Sequence, residues 1–156
     1  MKYSRLYFSL VFVMVSFITY GQNCSDYHNE NCRWADESFL YSRQSKSALF
    51  TQGMTSEFAI TVYGDEEYYI SLKGEKKLGD IRIRVKEDNA DKNVLYDNSD
   101  YKYEESFYFK NENSRTLLLE ITSVSNKKFS NSTERYCIGV LIQFRNYGNQ
   151  KTRTGF

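Results

Sequence analysis

The residues best suited to acid–base or nucleophilic chemistry are few in this sequence. His28 is the one histidine among 156 residues, so a single imidazole would have to activate any serine or cysteine nucleophile. No Gly-x-Ser-x-Gly segment, which would expose a serine on a sharp strand-to-helix turn, accompanies it. We therefore expect His28 to be a surface or helix-capping residue, and we expect the protein not to be an enzyme.

The cysteines Cys24, Cys32 and Cys137 can form one disulfide, and their odd number then leaves one thiol over. All three pairings are open on the residues alone. A bridge to Cys137 would close a loop of about a hundred residues and would stabilise the fold by up to about 4–5 kcal/mol in the chain-entropy treatment. The remaining thiol would be free or would pair between two molecules.

Zinc is the alternative use of these cysteines. Cys24, His28 and Cys32 are spaced four residues apart and would share one face of a helix, with Cys137 as a fourth ligand. Structural zinc sites favour paired ligands two to four residues apart, and Cys137 lies far from the other three. The spacing therefore favours a disulfide, and we expect no metal and no cofactor.

Calcium is a second metal alternative, in the polar segment over residues 88–100. Asn89, Asp91 and Asn93 alternate, and Asp100 follows at the twelfth position from Asn89, as in an oxygen-ligand loop. Val94 occupies the sixth position, where such a loop needs glycine. A polar hairpin turn explains the same residues better, and calcium binding stays the alternative.

Paired carboxylates could support glycoside hydrolysis. Acidic residues cluster at Glu66-Glu67, at Glu104-Glu105 and between Asp97 and Asp100. A glycosidase needs two carboxyl groups about 5–9 Å apart across a cleft. These clusters lie in expected turns, where acidic residues usually keep a protein soluble. A small secreted hydrolase is therefore the second alternative function.

Two groups of residues could bind a ligand without catalysing a reaction. Arg82, Arg84 and Lys86 alternate with apolar residues and would form a cationic stripe for an anionic glycan or a partner, or the solvated face of a strand. Three outward-facing or loop-borne tyrosines would offer an aromatic platform for sugars, or would pack across strands; they are Tyr101, Tyr103 and Tyr108.

The N-terminus has the pattern of a secretory signal peptide. Lys2 and Arg5 precede an apolar run over residues 6–18, and Thr19-Tyr20-Gly21 supplies small residues for cleavage after Gly21. As a helix, about 13 apolar residues would span about 20 Å, less than the roughly 30 Å hydrocarbon core of a bilayer. We expect a periplasmic or extracellular protein with no stable membrane insertion after cleavage.

Charge excludes two classes of partner. The whole sequence has 21 basic and 20 acidic residues, and loss of Lys2 and Arg5 with the signal peptide leaves 19 basic and 20 acidic. Binding to nucleic acid or to an anionic membrane needs a positive surplus. The expected partner is therefore a protein or a glycan at the cell envelope.

Alternating apolar residues predict β-strands along most of the chain after residue 57. Phe58, Ile60 and Val62 followed by Tyr68 to Leu72 across Gly64-Asp65 predict a hairpin. Further strands are predicted near residues 81–85, 94–96, 107–109 and 117–121, and the apolar run 137–142 predicts a central strand. The fold class is therefore an all-β, antiparallel, jelly-roll-like β-sandwich of seven to eight strands. We expect one domain over residues 22–156, with a short helix within residues 25–43 and a frayed tail from about residue 147.

Several segments resemble known proteins. The segments Phe39-Leu40-Tyr41-Ser42-Arg43-Gln44-Ser45-Lys46-Ser47, Ile60-Thr61-Val62-Tyr63 with Tyr68-Tyr69-Ile70, Val94-Leu95-Tyr96-Asp97-Asn98 and Cys137-Ile138-Gly139-Val140-Leu141-Ile142 resemble small uncharacterised exported β-sandwich proteins of Bacteroidetes. The layout is also similar to bacterial pre-peptidase C-terminal domains, which are β-sandwiches appended to secreted proteases.

The resemblance implies a disulfide pairing. The exported relatives have one cysteine about a dozen residues before the Arg-Gln-Ser segment and another in the last strand. Cys32 and Cys137 match those places. The implied bridge therefore joins Cys32 to Cys137, and Cys24 is left free, giving a monomer or a dimer through Cys24.

Together these patterns predict an exported, non-enzymatic binding or accessory module at the cell envelope. A calcium- or glycan-dependent recognition domain is the first alternative function. It would use the polar segment over residues 88–100 and the outward tyrosines.

Overall fold

Two antiparallel β-sheets, packed face to face, account for most of the computed structural model, which describes residues 24–124 and 133–147. The expected signal peptide, most of the loop over residues 126–133 and the tail beyond residue 147 lie outside the described residues. The first sheet has five strands in the order β1-β9-β4-β7, and β2 also pairs with β9. These strands are β1 (Leu40–Tyr41), β2 (Lys46–Phe50), β4 (Glu66–Gly74), β7 (Ser106–Asn111) and β9 (Tyr136–Asn146).

The second sheet has four strands in the order β3-β8-β5-β6. They are β3 (Thr55–Val62), β5 (Asp80–Glu87), β6 (Val94–Asp97) and β8 (Arg115–Val124). The described helices are short: α1 (Tyr27–Asn31) and two 3₁₀ turns, Lys76–Leu78 and Asn98–Tyr101. Within residues 24–124 and 133–147, no helix is long and apolar enough to cross a bilayer.

This topology is that of a jelly roll. Strands β1 and β2 both pair with β9, so they are two pieces of one edge strand, and the sandwich has the eight-strand pattern with four strands in each sheet. Strand β9 lies between β4 and the β1–β2 pair, which confirms the predicted central strand. The predicted all-β sandwich and its short N-terminal helix are confirmed.

The hairpin predicted across Gly64-Asp65 is wrong. Strand β3 pairs with β8 in one sheet, whereas β4 pairs with β7 and β9 in the other. The turn therefore crosses between sheets, and Ile60 and Ile70 enter the core from opposite sides. Alternation identifies the buried face of a strand, but it does not identify the strand's partner. The polar turn over residues 88–93 does close a true hairpin, between β5 and β6.

The core lies between the two sheets and is aliphatic and aromatic. Most of its deeply buried members come from the inward faces of the long strands, among them Ile60, Val62, Tyr68, Ile70, Leu72, Ile83, Leu117, Leu119, Ile121 and Ile142. Leu78 enters the core from a 3₁₀ turn and is as buried as these residues.

The segment over residues 24–39 forms a third layer on the outer face of the five-stranded sheet. The backbone N–H of Arg33 donates to the Ser71 hydroxyl (3.0 Å), and the N–H of Ala35 donates to Gln143 Oε1 (2.8 Å). Helix α1 lies directly over Gly139, where a Cβ would be 2.6 Å from the Cα of His28. Glycine at this position of β9 therefore lets the N-terminal layer approach the sheet.

The disulfide joins Cys24 to Cys137, with 5.5 Å between their Cα atoms, so the pairing of Cys32 with Cys137 is wrong. Cys32 is the free thiol; it is buried and donates to the carbonyl of Gly139 (3.3 Å). Cys24 precedes α1 and reaches Cys137, whereas Cys32 follows α1 and reaches a point two residues further along β9. The leftover thiol is thus internal, and Cys24 does not link two molecules. Two of the four proposed zinc ligands are joined to each other, so the zinc alternative is also wrong.

Candidate functional site

A cleft of about 440 Å³ opens where β7, at the edge of one sheet, lies beside β6, at the edge of the other. All three layers contribute to it: the N-terminal layer, the five-stranded sheet, and β6 with the loop that follows. Its lining residues are Arg33, Tyr69, Tyr96, Tyr101, Glu104, Ser106, Phe107 and Tyr108. Five of these eight side chains are aromatic, so we call this surface the aromatic cleft.

The aromatic rings are arranged in two groups. On the outer face of the five-stranded sheet, Tyr69 contacts Tyr108 with ring centroids 4.7 Å apart. At the edge of the sandwich, Tyr96 packs between Phe107 (4.0 Å) and Tyr101 (5.5 Å), and its ring lies at 12° to that of Tyr101. Tyr101 and Tyr108 keep 58% and 55% of their surface exposed, so both can receive a ligand.

Asn98 holds the loop that presents Tyr101. Asn98 is fully buried; its Oδ1 accepts from the N–H of Ile83 (2.8 Å) and its Nδ2 donates to the carbonyls of Ile81 (3.0 Å) and Glu104 (3.1 Å). The side-chain amide of Asn98 therefore bonds to backbone groups of β5 in the way that the backbone of a neighbouring strand would. Because the loop is tied to a rigid sheet at this point, Tyr101 and Glu104 are held beside the cleft.

Two consecutive residues of this loop adopt the left-handed backbone region. Lys102 has φ 55° and Tyr103 has φ 58°, a conformation that costs free energy for residues other than glycine. The N–H of Tyr103 donates to the Asn98 carbonyl (2.9 Å), which stabilises the turn. Tyr103 is half-buried and does not line the cleft, whereas the other two tyrosines of the expected platform do.

Three polar side chains complete the aromatic cleft. Arg33 and Glu104 are exposed, and within the described residues neither side chain forms an ion pair or hydrogen bond. Ser106 adds a hydroxyl, and burial, reinforced by the Glu104 carboxylate, raises the pKa of Tyr96 to about 12. The cleft thus offers one basic side chain, one acidic side chain and the hydroxyl groups of serine and tyrosine.

Glu104 is the one carboxylate among the lining residues of the cleft. Its neighbour Glu105 instead pairs with Lys73 (2.6 Å), and Glu67 pairs with Arg145 (2.6 Å). Asp97 pairs with Arg82 and accepts from Ser99. The acidic clusters identified in the sequence are therefore spread over separate surfaces, and the cleft has a single acid.

The basic side chains of the cationic stripe on β5 form ion pairs with carboxylates of neighbouring strands. Arg84 and Lys86 both pair with Glu120 of β8, and Lys86 lies 3.6 Å from Glu57 of β3. Glu57 also pairs with Lys92 (2.9 Å). Each basic side chain of the stripe thus has an acidic partner within the sheet.

The pKa values follow from these pairs. Burial acts to raise the pKa of Asp97, but hydrogen bonds from Arg82 and Ser99 outweigh it and lower the pKa to about 2. For Glu120, burial is likewise outweighed by hydrogen bonds from Lys86 and Arg84, which lower its pKa. Arg82 is therefore bound to Asp97, at the start of the loop that carries Tyr101.

The residues of the calcium alternative shape a turn. The side-chain amides of Asn89 (2.8 Å) and Asn93 (3.1 Å) both donate to Glu87 Oε2, and the N–H of Lys92 donates to Asn89 Oδ1 (2.8 Å). In the described part of the chain, no three His, Cys, Asp or Glu side chains are grouped so that they could hold a metal ion. Asp91 and Asp100 belong to no such group.

His28 is buried, which contradicts the expected surface or capping position. Its Nδ1 lies 2.7 Å from the Ser47 hydroxyl and its Nε2 lies 3.0 Å from the Tyr41 hydroxyl. Burial lowers the pKa of His28, and the nearby Asp26 carboxylate acts weakly against this shift. His28 joins the N-terminal layer to the edge strands and does not line the aromatic cleft.

A second cavity, of about 140 Å³, opens between β2 and β3. Its lining is mostly apolar, and the ammonium group of Lys46 lies 4.7 Å from the ring centre of Phe58 at this place. It is smaller than the aromatic cleft and has fewer polar groups.

The sequence pointed to Tyr101 and Tyr108 as ligand-binding residues and to Glu104 as part of an acidic cluster, but not to the other five lining residues. Arg33 lies in the N-terminal layer, and Tyr69, Tyr96 and Phe107 resemble ordinary strand residues in the sequence. The density of aromatic residues over residues 96–108 is a signal that could have found Tyr96 and Phe107, but not Arg33 or Tyr69.

No protein-family model matches the sequence, and no curated protein matches it. Among solved structures, the chain is similar to PliG of Aeromonas hydrophila, a periplasmic lysozyme inhibitor of g-type lysozyme. The two share 10% sequence identity with a TM-score of 0.47, over 72% of this chain and 92% of that chain.

Proposed function

We propose that the protein is an exported, non-enzymatic binding protein that holds its ligand in the aromatic cleft, as a binding or accessory module at the cell envelope. One observation supports this most: two half-exposed tyrosines, Tyr101 and Tyr108, flank a concave surface on which the side chains of Arg33 and Glu104 have no partner among the described residues. Aromatic rings with a few convergent polar groups are typical of ligand sites. Tyrosine adds contact area with little loss of conformational freedom.

The chemistry of the cleft supports binding over catalysis. Hydrolysis of a glycosidic bond uses two carboxyl groups, and Glu104 is the single acid among the lining residues. His28, Cys24 and Cys32 lie in the N-terminal layer and Cys137 lies in β9, and none of these other candidates for catalytic groups lines the cleft.

Two features support export. The pattern over residues 1–21 is that of a signal peptide. The Cys24–Cys137 disulfide is the kind of bond that persists in an oxidising compartment such as the periplasm or the extracellular space.

The test is retention of envelope material on immobilised protein. The Tyr101→Ser/Tyr108→Ser double variant removes both exposed rings, and Tyr63→Ser is the matched control because Tyr63 is 57% exposed and lies outside the cleft. We expect the wild type and the Tyr63→Ser variant to retain the same component and the double variant to lose it. Equal retention by all three proteins would refute the proposed site.

A further inference from the structure

We infer that the ligand of the aromatic cleft is a neutral saccharide, whose ring packs on the exposed tyrosines while its hydroxyl groups bond to Arg33 and Glu104. This inference rests on the proposed function, because it names the class of ligand for the same cleft. Four properties of the cleft lead to it.

The first property is the presentation of flat aromatic faces. Tyr101 has one neighbour in near-parallel stacking, Tyr96 at 12°, and more than half of its surface remains exposed. The ring of Tyr108 contacts those of Tyr69 and Phe39, whose centres are 4.7 Å and 5.7 Å away, and more than half of its surface remains exposed. A pyranose ring has an apolar face of C–H groups, which gains from burial against such a ring and from the negative aromatic face.

The second property is a pair of charged side chains, those of Arg33 and Glu104, that have no partner in the part of the chain that the structure describes. The guanidinium of Arg33 presents several N–H donors in a fixed plane, and the carboxylate of Glu104 presents two acceptor oxygens. Each neighbouring hydroxyl of a sugar both donates and accepts, so one ring can satisfy both residues. Ser106 and Tyr96 add two hydroxyl groups to the cleft, and each of these can also both donate and accept a hydrogen bond.

The third property is charge balance. One cation and one anion among the lining residues give the cleft no net formal charge, so it offers no surplus to attract a polyanion or a polycation. A purely apolar ligand would remove water from Arg33 and Glu104 without replacing their hydrogen bonds. A neutral ligand rich in hydroxyl groups fits both conditions.

The fourth property is size. A cleft of about 440 Å³ lies within the usual range of small-ligand sites, about 300–1,000 Å³. It is also open at the surface, between the edges of two sheets, so a ring within a longer glycan chain can enter it.

The experiment is a binding screen on an array of neutral and acidic glycans, followed by calorimetry. The calorimetric probes are cellotriose, maltotriose and triacetylchitotriose, with trigalacturonate and a capped alanine–proline pentapeptide as competing classes. We expect at least one neutral glycan to bind. The Tyr101→Ser/Tyr108→Ser variant should weaken that binding by about tenfold or more, and Tyr63→Ser should leave it unchanged.

Two further variants separate ring stacking from hydrogen bonding. Tyr101→Phe/Tyr108→Phe keeps both rings and should stay within about threefold of the wild type. Glu104→Ala removes the acceptor and should weaken binding by about tenfold, because a hydrogen bond to a charged group is lost. Glu104 is exposed, so this variant still tests the inference if the double tyrosine variant fails to fold.

The outcomes distinguish this inference from the proposed function. Binding confined to acidic glycans or to the peptide overturns the neutral saccharide. Absence of all glycan binding, with envelope material still retained in a manner that depends on the two tyrosines, overturns the saccharide and leaves the binding function standing. Retention that does not depend on the tyrosines overturns both.

Discussion

The backbone N–H of Arg33 donates a 3.0 Å hydrogen bond to the hydroxyl of Ser71, which is fully buried on the outer face of β4. This bond fixes the N-terminal layer on the five-stranded sheet at the place where the Arg33 side chain enters the aromatic cleft. The cleft is therefore not a property of the sandwich alone. It needs the N-terminal layer to stay in place.

Replacing Ser71 with alanine should loosen this contact. The N–H of Arg33 would lose its acceptor in this part-buried hydrogen bond, and such a bond contributes about 0.5–1.5 kcal/mol to stability. We expect urea unfolding to show a free energy of unfolding lower by that amount. Thr116→Ala, at an exposed position of β8, should change it by less than about 0.5 kcal/mol. Equal values for the two variants would contradict the role of Ser71.

The disulfide should be the largest single contribution to holding the N-terminal layer. Cys24 and Cys137 are 113 residues apart, so the bridge strongly restricts the unfolded chain. We expect Cys24→Ser to lower the free energy of unfolding by about 2–5 kcal/mol. Cys32→Ser should have a much smaller effect, because Cys32 is not bridged and serine can keep the donor to Gly139.

Mass spectrometry of a non-reduced digest checks the pairing directly. A peptide that links Cys24 to Cys137 is expected, and a peptide that links Cys32 to Cys137 would contradict the structure. The resemblance to exported β-sandwich proteins placed the bridge at Cys32. That error arises because sequence position cannot show that α1 turns the chain and brings Cys24, rather than Cys32, to Cys137.

Glu120 should be the most sensitive acid on the four-stranded sheet. Its side chain and that of Lys86 are each only 11% exposed, and Glu120 also pairs with Arg84. Glu120→Ala leaves both cations without this partner and should lower the free energy of unfolding by about 3 kcal/mol.

The control for this prediction is Glu105→Ala. Glu105 pairs with Lys73, and the two side chains are 60% and 40% exposed. Exposed ion pairs contribute about 0–1 kcal/mol, so the loss should be within that range. If urea unfolding shows that both variants lose a similar free energy of unfolding, the larger contribution expected of the Glu120 ion pairs is contradicted.

Stability should fall as the pH drops below the ordinary pKa of histidine. Burial lowers the pKa of His28 from 6.5, so the unfolded chain binds a proton at a higher pH than the folded protein does. The stabilisation by neutral His28 is therefore present above pH 6.5 and is lost as the pH falls through its lowered folded pKa. The paired carboxylates, such as Asp97 with a pKa of about 2, titrate at lower pH.

The measurement is urea unfolding between pH 7.5 and pH 5, with His28→Asn as the comparison. The wild type should lose stability over this range, and the variant should lose less. A wild type that becomes more stable as the pH falls through this window would contradict the burial of a neutral imidazole.

Much of the sandwich was predictable because alternation marks the buried face of each strand. Ile81, Ile83 and Val85 enter the core as expected, and the run from Cys137 to Ile142 is central. What alternation could not show is which strands pair. The short turn after Val62 suits a hairpin, but in a jelly roll it joins the two sheets instead.

The aromatic cleft was predictable only in part for the same reason. Tyr101 stands out between Asp100 and Lys102 near a predicted turn, Tyr108 stands out as the outward residue between Phe107 and Phe109, and both line the cleft. Tyr96 and Arg33 reach it only because the edges of two sheets and the N-terminal layer meet there. Asn98 looks like a turn residue in the sequence, yet its buried side chain holds the loop to β5.

The most direct test of the account is hydroxyl-radical footprinting of the tyrosines with and without envelope extract. Tyr101, Tyr108 and Tyr63 are 58%, 55% and 57% exposed, so they should be oxidised at similar rates in the free protein. With extract present, oxidation of Tyr101 and Tyr108 should fall relative to that of Tyr63, because the ligand covers the aromatic cleft. Equal oxidation of all three relative to the free protein, or protection of Tyr63 alone, would contradict the aromatic cleft as the binding site.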